Sequence, residues 1–175
     1  MAVEPGSLDA LVAELIERVS GATDLGDACS VVLETAGREF SLERALFVVP
    51  THAGLRGAAW GLEARTQSVL RQLDHSESPI LELIEHAGPH GGSPTLRRQG
   101  SFPPLDFRSF VSFTVAGITG QTIGAALIEA DEVDDDCLRF AELAARLGPL
   151  LDRIARAGLL VSDRCLGQQR AEEQV

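Results

Sequence analysis

The chain has 175 residues, 45% of them hydrophobic, which is enough for one well-filled core, yet its longest apolar runs, such as 45–49, fall far short of a membrane-spanning helix. The net charge of −11 argues against a nucleic-acid backbone as partner. All 15 basic residues are arginine, so Schiff-base chemistry, a phosphate-loop lysine and a lysine general base are excluded within this sequence.

The first nine residues lack both the basic start and the apolar heart of a secretory signal, and a cytoplasmic location is expected. Cys29, Cys137 and Cys165 are scattered, odd in number and without a histidine at ligand spacing. That pattern suits unbonded thiols in a reducing compartment, serving as packing residues or surface thiols.

Ser7 heads a helical spacing of Leu8, Leu11, Val12, Leu15, Ile16 and Val19, which predicts a capped amphipathic helix over 7–20, ended by Gly21. A second helix is expected from Thr23 or Asp24 to about Phe40, with Leu25, Cys29, Val32, Leu33 and Ala36 on one face. The period then changes. Residues 44–50 are β-branched and aromatic, and a turn over 51–54 leads into 55–61, which together predict a hairpin.

Residues 64–75 satisfy either a strand or a helix template and are read as a short strand. Ser76 or Ser78, with Pro79 at the opening turn, starts a helix carrying Ile80, Leu81, Leu83 and Ile84. From Gly88 to Pro104 the sequence is rich in Gly, Pro, Ser and Arg, and it is read as a long loop of the kind that forms lids or binding loops. Residues 107–116 and 121–130 are the two clearest strands, joined by the turn 117–120. A last helix is expected from about Val133 through Ile154, bent at Pro149 and able to run past Gly158. Hairpin connections suffice for these strands, so the expectation is an α+β fold with an antiparallel sheet clad by helices.

The acidic run Glu129, Asp131, Glu132, Asp134, Asp135 and Asp136 raises the question of a metal. A calcium loop would alternate its oxygen ligands around an internal glycine, and this run has none. It is read instead as a strand end followed by helix-capping carboxylates. His52, His75, His86 and His90 form no HxH or HExxH spacing, no Gly-x-Ser-x-Gly elbow occurs, and neither metal nor cofactor is expected.

Four stretches, taken in order, resemble the GAF domain family of regulatory modules. They are LDALVAELIERVSGATDLGDACSVVLETAGREF, similar to its paired N-terminal helices; ERALFVVPTHAGLRGAAWG, similar to its first hairpin; FVSFTVAGITGQTIGAALIEA, similar to its late hairpin, with Ile123 and Gly124 opening the second strand; and LRFAELAARLGPLLDRIARA, similar to its closing helix. The resemblance covers about 7–157, leaving 1–6 as a tail and 158–175 as a helical or disordered extension. It implies a central antiparallel sheet with the terminal helices on one face and a ligand cleft on the other, under the middle helix and long loop. Departures are specific. The asparagine-lysine-phenylalanine-aspartate-glutamate signature of cyclic-nucleotide-binding members is absent. No cysteine falls at a bilin-attachment position or in the loops that serve methionine-sulfoxide reduction.

In the strand 108–116, Val111, Phe113 and Val115 share an apolar face, while Phe110, Ser112 and Thr114 share a mixed one. One reading makes the mixed face a ligand pocket for an anionic or planar molecule, with Trp60, Arg97, Arg98 and Arg108 beside it. The other leaves the hydroxyls on a solvated face and the arginines balancing nearby acids. Likewise Leu8, Leu11 and Leu15, with Leu147, Leu150, Ile154 and Leu159, form either a helical dimer seam or ordinary packing on the sheet. The expected function is a non-catalytic regulatory module of a signalling protein, binding a small molecule or acting as a ligand-free interaction and homodimerisation unit. The alternative is a small cytoplasmic enzyme using the same cleft, which would need a histidine, cysteine or carboxylate constellation converging there.

Overall fold

A computed structural model describes residues 7–51, 54–62, 95–98 and 109–173, with Gly54, 95–98 and 159–173 described by their backbone alone. Helix α1 (Leu8–Ser20) begins where the Ser7 hydroxyl accepts the Ala10 N–H at 3.2 Å, and α2 (Leu25–Glu39) begins where Asp24 accepts the Asp27 N–H at 2.8 Å. Both caps satisfy N–H groups that the first helical turn leaves unpaired. The strands are β1 (Ala45–Thr51), β2 (Gly54–Trp60), β3 (Thr95–Arg98), β4 (Ser109–Ala116) and β5 (Thr122–Glu129). They form one antiparallel sheet in the order β2-β1-β5-β4-β3. Helix α3 (Asp135–Glu173) follows β5, and it is continuous through Pro149 and past Gly158.

The α+β expectation holds, with one correction. The 88–104 segment is not loop throughout, because Thr95–Arg98 pairs with β4, Leu96 opposite Val111 and Arg97 opposite Phe110. The strand expected at 64–75, the helix after Ser76 or Ser78 and the rest of the long loop lie outside the described residues.

Alternation assigns the strand side chains to two faces. Ala45, Phe47, Val49, Ala58, Val111, Phe113, Val115, Ala126 and Ile128 enter the core shared with the helices. Helix α2 packs on β1 and β2, and α3 packs on β4 and β5, while α1 lies against α2 and α3. Phe140 of α3 is the hub, with ring centroids 5.2 Å from Phe113 edge-on, 6.3 Å from Phe40 and 6.5 Å from Phe47. Pairs at such distances add about 0.5–1.5 kcal/mol each beyond the area they bury.

The acidic run behaves as a cap. Asp134 accepts the Cys137 N–H at 2.8 Å at the head of α3, and Asp131 accepts the Ser109 hydroxyl at 2.8 Å. Cys29 and Cys137 are buried packing residues. Burial and then the Asp24 charge push the Cys29 thiol up to about 12, and burial and then the Asp134 hydrogen bond push that of Cys137 up to about 11, so neither is a ready nucleophile.

Candidate functional site: the second face of the sheet

Strand residues of the opposite parity form the second face, and the register sets them in rows. Phe110 stands opposite Glu129. Ser112, Leu127, Leu46 and Ala59 follow one another across β4, β5, β1 and β2. Thr114, Ala125, Val48 and Gly57 make the next row, and Pro50 and Leu55 the last. Leu46, Val48, Ala125 and Leu127 are wholly buried although no described helix packs on their side, and Phe110 is 1% exposed. Ser112 is buried among them and Thr114 is half-buried.

This face has a chemical gradient. Its β2, β1 and β5 part is apolar, with Leu46, Val48 and Leu127 set among the small residues Gly57, Ala59 and Ala125. Its β4 part offers a ring edge and two hydroxyls. At the strand ends, Arg44 and Glu129 form an ion pair, both half-buried, beside Phe110. A surface that sets two hydroxyls beside apolar side chains is chemically suited to a molecule with a flat apolar body and a polar rim.

The sequence-predicted pocket residues do not all meet here. Phe110, Ser112 and Thr114 share the face as expected. β3 brings Arg97 opposite Phe110, and Arg98 opposite Ser109, while the side chains of both arginines, and Arg108 altogether, lie outside the described residues. Trp60 is a correction. It stands opposite Ala45 in the register of the helix-covered face, its indole N–H donates to the Leu42 carbonyl at 2.8 Å, and its ring lies over Gly37 of α2. A Cβ at Gly37 would come within 2.4 Å of that ring, so a glycine is what allows helix and indole to touch. Trp60 therefore seals α2 to β2.

The dimer seam needs a similar correction. Leu11, Leu15 and Leu147 belong to the interior, because α1 fills the trough between α2 and α3. Leu8, Leu150 and Ile154 pack against the same interior at its rim, and the Leu159 side chain lies outside the described residues. Contacts with two neighbours bury most of the stripes on α1 and α3, while Ile16 and Leu138 remain exposed.

Sequence reasoning missed Leu46, Val48, Ala125 and Leu127 as members of the second face. In β1 every residue from Ala45 to Val49 is apolar, so alternation carries no contrast there. It also missed Asp152, which is 5% exposed on α3 next to Leu151; a carboxylate among core leucines was the available signal.

With this geometry in view, the comparisons place the fold. The chain superposes on the GAF domain of a phosphoenolpyruvate-protein phosphotransferase from Acinetobacter with a TM-score of 0.60 at 12% identity, covering 91% of this chain and 98% of that one. The corresponding GAF domain from Coxiella burnetii gives 0.55 at 14% identity, over 96% and 97% of the two chains. The A. aeolicus nlh2 GAF domain in an inactive state gives 0.55 at 12% identity, over 86% and 96%. No protein-family model and no curated protein matches the sequence. The chain has the GAF fold, as the four stretches implied.

Proposed function

We propose that the chain is a non-catalytic regulatory sensor domain of a signalling protein, and that it binds a small planar molecule with a polar rim on the second face of its sheet. The observation that carries this reading is the buried Ser112, set beside Phe110 and Thr114 on a face that no described helix covers. Its support from similar folds is that two of those proteins are GAF domains of phosphoenolpyruvate-protein phosphotransferases, and that the third, the nlh2 GAF domain, was captured in an inactive state, as a switching module would be. Ligand contact would act by favouring one of two arrangements of sheet and helices. Among the described residues, no helix is long and apolar enough to cross a membrane.

The test is native mass spectrometry of the protein purified gently from cell extract, beside the double variant Ser112→Ala, Thr114→Val. The expected result is a retained small molecule on the wild type that the variant loses. A bare wild-type mass contradicts the ligand reading and leaves a ligand-free interaction module.

A second reading rests on α3. Core contacts run to Ala155, residues 156–158 are exposed, and the helix still continues to Glu173. We assign self-association to this outgoing part of α3 in place of Leu11, Leu15 and Leu147. Sedimentation velocity tests it: the expected dimer becomes a monomer when the chain is ended after Ala157, and a monomeric full chain contradicts it.

A further inference from the structure

Where β4 ends, the sheet and α3 are joined by a buried carboxylate. The turn from Gly117 to Gln121 is closed by Gly117 N–H to the Gln121 carbonyl at 2.8 Å and by Gly120 N–H to the Gly117 carbonyl at 3.2 Å. Its outer amide, Ile118 N–H, has no carbonyl to meet within the turn and donates to Asp152 Oδ2 of α3 at 2.9 Å. The Gln121 amide nitrogen donates to the same oxygen at 3.2 Å. On the helix side, Arg156 holds the carboxylate from one turn later, Nε to Oδ1 at 3.0 Å. Burial by itself would raise the Asp152 carboxyl; Arg156, the Ile118 N–H and Gln121 together hold it below the usual carboxylate range. Helix and strand have no slack at this point, since a Cβ on Gly148 would stand 2.0 Å from the Ala116 carbonyl oxygen.

The neighbours of this joint matter. Thr114, on the second face, lies three residues before Gly117, so a displacement of β4 by a bound molecule arrives directly at the turn. Arg156 is the first residue of α3 beyond the helix–core contacts.

We propose that Asp152 is a positioning residue that latches the β4–β5 turn to α3, so that turn and outgoing helix move as one body while the latch is closed and the helix beyond Ala155 loosens when it opens. The latch would be the regulatory step downstream of the second-face site, and in that use it rests on the sensor reading. Its test needs no ligand, so the two can fail separately.

Hydrogen–deuterium exchange on the full chain reads it, resolved to Ile118 and to residues 155–160, with α2 as the reference for an intact fold. A hydrogen bond to a buried carboxylate sustains about 10- to 100-fold protection. Asp152→Asn is expected to speed exchange at Ile118 by a factor in that range and to speed residues 155–160 with it, α2 remaining unchanged. Gln121→Ala, which removes one partner and keeps the carboxylate, is expected to give the same paired change by a smaller factor, and it decides the matter where Asp152→Asn does not fold. Arg156→Gln, which removes only the partner within the helix, is expected to leave Ile118 protected. Faster exchange at Ile118 with residues 155–160 unmoved overturns the proposal. So does loosening of the helix in Arg156→Gln equal to that in Asp152→Asn, which would place the effect in the helical pair alone.

Discussion

The two faces of the sheet are built from alternate residues of the same strands and have different chemistry. On one, Phe47, Phe113 and Ile128 belong to the same interior as Phe140, Leu143 and Leu147, which holds no buried strand hydroxyl among the described residues. On the other, Leu46, Val48 and Leu127 share their layer with Ser112 and Thr114. The contrast teaches that the helix-covered side holds the fold together, and that the proposed recognition belongs to the chemically mixed side.

The largest expected effect breaks the packed side. Phe140→Ala removes the ring that three others meet, and it should cost about 3–5 kcal/mol, read as a lowered denaturation midpoint. Next comes the α2–β2 seam. Gly37→Ala drives a methyl into the Trp60 indole and should destabilise by about 1–3 kcal/mol while shifting the emission of the single tryptophan.

Asp152→Asn should cost about 1–3 kcal/mol at neutral pH. Its folded carboxyl titrates below its unfolded value, so the stabilisation is complete above about pH 4 and is lost as the pH falls through the folded value. The gap between wild type and variant in thermal unfolding should therefore close on acidification. The smallest effect belongs to the second face: Ser112→Ala with Thr114→Val should change stability by less than about 1 kcal/mol, while abolishing retention of the bound molecule.

How much of this was legible depended on contrast within each segment. The caps at Ser7, Asp24 and Asp134 were readable because a capping side chain stands at the head of each helical spacing, and β4 and β5 because the turn 117–120 separates two runs rich in β-branched and aromatic residues. β3 was hidden, since Thr95–Arg98 offers one apolar residue within a Gly- and Pro-rich stretch and owes its strand form to the β4 edge. Trp60 was assigned to the wrong face because its parity is settled only by its pairing with Ala45. Leu11, Leu15 and Leu147 resembled a seam because the stripe on a helix does not say whether a second helix of the same chain will cover it. The order of four weak stretches conveyed the fold where no single one of them could.

Methyl-resolved NMR distinguishes the two faces most directly, because neighbouring residues of one strand report on opposite sides. Spectra of the protein would be compared before and after adding the low-molecular-weight fraction of a cell extract. The expected result is that the methyls of Leu46, Val48 and Leu127 shift while those of Val111, Val115 and Ile128 hold still. Shifts confined to the second set, or none in the first, would contradict the assignment of recognition to the second face.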